Sequence, residues 1–131
     1  MKDAIRLRIK KADENLAATK SNLEDGFFGV AVNRAYYAMF CATQALLLIH
    51  GLHVKTHKGM HVKFGELYIQ SNILPKEMAT LLTATEDLRI EADYDFDETI
   101  THEEASVGFQ NATFFVNKVR EYLRSQDLLD D

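Results

Sequence analysis

The sequence predicts an all-α protein, an antiparallel up-and-down bundle of four long helices with one short helix between them. Three observations predict it. Apolar residues recur at steps of three and four over five separate segments. No segment alternates apolar and polar residues between turn signals as a strand would. The long segments run to about 20 residues with short connections, which favours antiparallel neighbours.

In the first segment Ile5, Ile9, Ala12, Leu16, Thr19 and Leu23 form one stripe that ends at Asp25-Gly26, while Arg6, Lys10, Asp13 and Lys20 fill the opposite side. This is an outer helix with one buried face. The second segment, about Phe27 to His50, is apolar almost all round, with Tyr36, Tyr37, Met39, Phe40 and Leu46 to Ile49, and stops at Gly51. It is the expected central helix. After a loop from Gly51 to Lys55, Thr56 caps a shorter helix with a narrow stripe of Met60, Phe64, Leu67 and Tyr68. Pro75 suits the first turn of the fourth helix, whose Met78, Leu81, Leu82, Thr85, Leu88 and Ala92 face inward. An acidic linker, Asp95 to Ile100, leads to Thr101-His102-Glu103-Glu104, the pattern of a capping box. The fifth helix follows, with Ala105, Gly108, Phe109, Ala112, Phe115, Val116, Val119, Tyr122 and Leu123 on one side to near Ser125. Residues 1–131 read as one domain, with a core over about 3–125 and a frayed tail.

Composition excludes several classes. With 47% hydrophobic and 27% charged residues the chain is a folding sequence and not a disordered one. Its longest apolar run falls short of the roughly 20 residues of a membrane span, and the basic N-terminus lacks a secretory pattern, so a cytoplasmic protein without a membrane role is expected. The single cysteine, Cys41, fits a small core residue in a reducing compartment. A net charge of -5 disfavours non-specific coating of nucleic acid. The charge is uneven, however. Residues 86–104 are rich in Asp and Glu, whereas Lys55, Lys58 and Lys63 stand beside His57 and His61, so acidic and basic faces are expected to separate.

Catalytic and metal patterns are sparse. His50, His53, His57 and His61 step by three, four and four, and two histidines four apart can share zinc, but Gly51 breaks the register and a third ligand is missing. No metal site and no cofactor is expected. Serine-nucleophile elbows and Gly-rich phosphate loops are absent from the sequence. Two clusters remain. Arg34, Tyr36 and Tyr37 put a cation and two phenols on the most buried helix, where Arg34 needs a partner, and an acid from another helix is the expected one. Arg89 and Asp93 are four apart, with Tyr94 beside them at the helix end. The two clusters read either as a structural ion-pair network linking the second and fourth helices, or as a polar groove. In the groove an arginine receives a phosphate and a tyrosine stacks on a base.

The combination Asn33-Arg34-Ala35-Tyr36-Tyr37-Ala38-Met39-Phe40, then Thr56-His57-Lys58-Gly59, then Leu88-Arg89-Ile90-Glu91-Ala92-Asp93-Tyr94 resembles the HEPN family, in particular its small single-domain prokaryotic branch. The resemblance implies a helical bundle, a homodimer, and a minimal nucleotidyltransferase as partner in a two-gene toxin and antitoxin pair. In the family's RNases an Arg followed by His after four to six residues forms the active site. Here those positions after Arg89 hold Tyr94, Asp95 and Phe96, and the next histidine is His102. Tyrosine, with an ordinary pKa near 10, is a poor base at neutral pH. The expected function is therefore a binding module for nucleotide or RNA and not an enzyme. Two alternatives remain open: a metal-independent RNase toxin in which His57 or His102, with Arg89, supplies the chemistry, and a purely structural adaptor.

Overall fold

The apolar stripes decide where each helix lies. The computed structural model describes residues 1–94, 96 and 99–130; Asp95, Asp97 and Glu98 of the acidic linker, and the terminal Asp131, lie outside the described residues. Among the described residues every regular element is helical: α1 (Lys2–Glu24), α2 (Phe28–Leu48), α3 (His57–Phe64), α4 (Glu77–Asp93) and α5 (His102–Ser125). They form the expected bundle, with α2 packed against each of the other four. No helix is long and apolar enough to cross a membrane.

The centre of the core is α2, as its all-round apolar character requires. Its Ala35, Tyr36, Ala38, Met39, Leu46 and Leu47 are fully buried, whereas α1 buries one face through Ile5, Ile9, Ala12 and Thr19. The stripe on α5 goes inward as read, with Ala105, Gly108, Ala112, Phe115, Val116, Val119 and Leu123 all buried. Each large apolar side chain taken fully out of water contributes about 1.5–3 kcal/mol. The buried hydroxyls of Thr19, Thr43 and Thr85 each donate to the carbonyl four residues back, so none of these three is stranded. Helix α1 ends at Gly26, whose φ of +83° is the left-handed conformation that glycine adopts without penalty.

The predicted caps are made. Thr56 Oγ1 accepts from Gly59 N at 3.0 Å, and a Cβ on Gly59 would stand 2.8 Å from that oxygen, so the cap and the glycine depend on each other. At the start of α5, Thr101 Oγ1 accepts from Glu104 N and the Glu104 carboxylate accepts from Thr101 N, the reciprocal box. Thr101→Ala is expected to cost about 1 kcal/mol of unfolding free energy, to be read from urea denaturation against wild type.

The structure departs from the periodicity in three places. The third segment is not one α-helical stripe: after Phe64 it widens into a π-helical turn, Gly65–Ile69, which carries Tyr68 into the core. There the Tyr68 hydroxyl donates to Leu46 O and pairs with His50 Nε2 at 3.1 Å. Pro75 lies in the lead-in turn to α4, its carbonyl accepting from Met78 N, and not inside the first turn. Beyond Ser125 the chain turns back through Asp127, at φ +57°, and Leu128 and Leu129 pack against the core.

Candidate functional site

A buried phenol on the central helix organises the site. Tyr36 is fully buried, so its hydroxyl must find partners inside the protein. Helix α4 supplies one: Tyr36 Oη lies 2.8 Å from Glu86 Oε2. Helix α3 supplies the other: His57 Nδ1 lies 2.8 Å from the same hydroxyl. An ionised carboxylate only accepts, so the phenol donates its one proton to Glu86 and accepts from His57 Nδ1–H. That assignment fixes the histidine tautomer. In the neutral ring Nε2 then carries the lone pair, and it makes no hydrogen bond among the described residues. The His57 side chain is 38% exposed, so a base held in a defined orientation stands at the open edge of the cluster.

Arg89, three residues beyond Glu86 on α4, lies over the same aromatic pair. Its guanidinium carbon is 5.2 Å from the centre of the Tyr36 ring and 6.0 Å from that of Tyr37. Its Nη1 pairs with Asp93 Oδ2 at 2.7 Å, while its buried Nε–H has no partner. His61, one turn beyond His57, brings Nε2 to 3.2 Å from Glu86 Oε1. The contact is close, but it is not aligned as a hydrogen bond, and this buried nitrogen too is unsatisfied. The unmet Nε–H donor of Arg89 thus lies in the same cluster as a half-open histidine. His57 and His61 thus converge on one carboxylate, yet no group of three or more His, Cys, Asp or Glu among the described residues could hold a metal ion.

Burial pushes the Tyr36 hydroxyl well above the ordinary phenol range, the hydrogen bond to Glu86 and the negative charge of Glu86 push it further, and the positive charge of Arg89 opposes them only in part. Burial also raises Tyr68. Free phenols ionise near pH 10. A group whose pKa is raised by folding leaves stability unchanged below its unfolded pKa, and above it the unfolded state gains by ionising while the folded state cannot. Unfolding free energy is therefore expected to fall as pH rises past about 10. Denaturant titrations across that range check it, and Tyr36→Phe should flatten the fall.

Most of the residues read from the sequence as a polar groove are in contact with one another. Tyr36, Tyr37, Arg34, Arg89 and Asp93 come together, because Arg34 lies over the other side of the network, 5.1 Å from the centre of the Tyr37 ring. One expectation fails. Arg34 does not meet an acid: it donates to Asn33 Oδ1 beside it on α2 and to Asn15 Oδ1 across the α1–α2 seam. Arg89 and Asp93 pair on one face of α4, as their spacing of four predicts, and the bond between α2 and α4 is Tyr36 to Glu86. Tyr94, 74% exposed at the end of α4, and His102, whose ring packs edge-on against Phe28, lie apart from the His57–Tyr36–Glu86 network. Glu86 and the role of His61 were missed in the sequence. The one signal for them was Glu86 itself, an acid three residues before Arg89 and one after the buried Thr85. Asp93 also borders an open cleft of about 630 Å³ whose walls include Phe27, Val30, Asn33 and Ile100.

Comparison with known proteins adds the last observations. The model of the HEPN domain family matches residues 5–122. Two proteins of Methanocaldococcus jannaschii, named "Putative toxin MJ0142" and "Putative toxin MJ0605", are each 34% identical to the chain. The first match covers 92% of this chain and 82% of that protein, the second 95% and 92%. A UPF0332 protein of Archaeoglobus fulgidus is 32% identical over 90% of this chain and 94% of its own length.

Proposed function

The chain belongs to the HEPN family, and from that premise we propose that it is a toxin-like protein that cleaves RNA at the cluster of His57, Tyr36, Glu86 and Arg89. One observation carries this reading: the chain of hydrogen bonds from His57 through Tyr36 to Glu86, which in the neutral ring turns the Nε2 lone pair to the open edge of a site that also holds an arginine. The histidine missing after Arg89 is supplied from α3. His57 Nε2 removes the proton of a ribose 2′-hydroxyl, and the 2′-oxygen attacks the adjacent phosphorus. Arg89 meets the charge that builds on the phosphate oxygens. The bond from phosphorus to the 5′-oxygen breaks, the leaving oxygen takes up a proton from the imidazolium or from water, and a 2′,3′-cyclic phosphate remains. The test is end-labelled RNA incubated with purified protein. Cyclic phosphate ends should form, and a 2′-deoxy substitution at the cut position should block cutting. Binding without any cleavage would overturn the reading.

A second reading, a binding module for nucleotide or RNA, is favoured by the Arg89–Asp93 pair, which partly neutralises the arginine and leaves less charge to stabilise a transition state. The toxin names of two relatives support a toxin-like role; a minimal nucleotidyltransferase as partner and a homodimer are what the family resemblance implies on either reading. Co-purification with the product of an adjacent gene, and light scattering of the isolated protein, test those two points.

A further inference from the structure

Arg34 is a half-buried cation whose charge no carboxylate balances. Nε and Nη2 donate to Asn33 Oδ1 at 3.1 and 2.6 Å, and Nη1 donates to Asn15 Oδ1 at 3.0 Å. Amide oxygens fix the guanidinium plane without neutralising it, and the Tyr37 ring supports one face. Among the described residues it has no ion-pair partner. Of its five N–H groups, one on each Nη is left over. Holding a cation out of water in this way costs free energy unless an anion completes it, and a planar fork held rigid by other bonds suits a phosphate.

The neighbouring face of α1 extends the charge. Arg8, Lys11 and Asn15 follow at steps of three and four, so they form one row, and Asn15 touches both Arg34 and, at 4.0 Å, Cys41 Sγ. The row therefore runs beside the stretch of α2 from Arg34 to Cys41. Burial raises the Cys41 thiol, while Arg8, Lys11 and Arg34 all pull it down and Glu14 opposes them, which places three cations and one acid around this point. Lys11 shares its charge with Glu14 at 3.6 Å; Arg8 has no ion-pair partner among the described residues. The track joins the site already described, because the Tyr37 ring contacts Arg34 on the one hand and Arg89 on the other.

We propose that Arg34, with Arg8 and Lys11, is a second phosphate subsite that takes the backbone of single-stranded RNA beyond the phosphate held at Arg89, so that the strand runs from His57 past Tyr37 and along the α1–α2 seam. This rests on the cleavage reading for its polarity, but not for its chemistry, which needs only a polyanion. An RNA strand is favoured over an acidic protein because the cations continue from the reaction site in single file while the chain as a whole carries a net charge of -5, which discourages diffuse contact.

The test is fluorescence anisotropy with a labelled, fully 2′-O-methyl single-stranded RNA, titrated at several KCl concentrations. Arg34→Gln is expected to weaken binding about tenfold. The double substitution Arg8→Gln with Lys11→Gln, on exposed positions that leave the core intact, serves if Arg34→Gln does not fold. Each phosphate that a variant no longer neutralises should reduce the slope of log affinity against log salt by about 0.7. On cleavable RNA the double variant should raise KM and leave kcat unchanged. Wild-type affinity and slope in both variants would overturn the subsite, even if cleavage stands. Conversely, full RNA binding by the variants with loss of an acidic protein partner would transfer the track to that partner and overturn the assignment to RNA. If the wild type binds this RNA with the stated variant effects yet cleaves none, the subsite stands and the cleavage reading falls.

Discussion

Replacing His57 with alanine is expected to lower RNA cleavage by about 10²–10⁴-fold, the usual worth of a positioned general base, while RNA binding stays within about twofold of wild type. The split is what gives the experiment its force. His57 touches the cluster through one hydrogen bond and through ring contacts with Tyr36, Tyr37 and Phe40, and its side chain is more than a third exposed, so its removal leaves Tyr36 still donating to Glu86 and Arg89 still stacked on Tyr36. The stability cost should be about 1–3 kcal/mol, that of one partly exposed hydrogen bond and the lost ring contacts. Single-turnover cleavage with protein in excess separates the chemical step from binding. His102→Ala is the matched control, because His102 packs against Phe28 away from the relay and should cleave as wild type does. Wild-type rates in His57→Ala would remove the base from the mechanism.

What the sequence could and could not disclose follows from how contacts are encoded. The stripe on α5, the Thr101–Glu104 box and the buried ring of α2 depend on residues within a few positions of each other, and these were legible because local periodicity and capping chemistry determine them. Arg89 with Asp93 was legible for the same reason, being one helical turn apart. The relay is not of that kind. Tyr36 is 21 positions from His57 and 50 from Glu86, and nothing in the spacing of one helix says which residue of another will face it. The error at Arg34 is instructive in the same way: burial correctly demanded a partner, yet it did not decide between an acid and the amides of Asn15 and Asn33. Widening of the chain at Gly65–Ile69, where Tyr68 reaches Leu46, was also hidden, since a π turn has no propensity signature of its own.

Tyr36→Phe tests the relay where it is most constrained. The ring stays, so packing is conserved and no cavity opens. What disappears is one hydroxyl that serves two groups at once, and Glu86 Oε2 and His57 Nδ1–H both lose their partner. Glu86 keeps its unaligned contact with His61 and a longer one, 3.9 Å, to His57 Nδ1, in a position where its side chain is 19% exposed. An acceptor left short of donors in such surroundings costs about 1–3 kcal/mol, and urea unfolding at neutral pH should show a loss of that size. Cleavage should fall by about tenfold or more, because the histidine no longer has its tautomer and ring orientation set by the phenol. Affinity for RNA should hold, since a phenylalanine face still supports Arg89. Glu86→Gln separates the two contributions: its amide oxygen still accepts from Tyr36, so most of the stability should return, but the negative charge that stabilises the imidazolium through the phenol is gone, and the rate should stay low. A Tyr36→Phe protein as stable as wild type would show that the hydroxyl is not bonded as described. One that is less stable but cleaves at the wild-type rate would reduce the relay to a structural link between α2, α3 and α4.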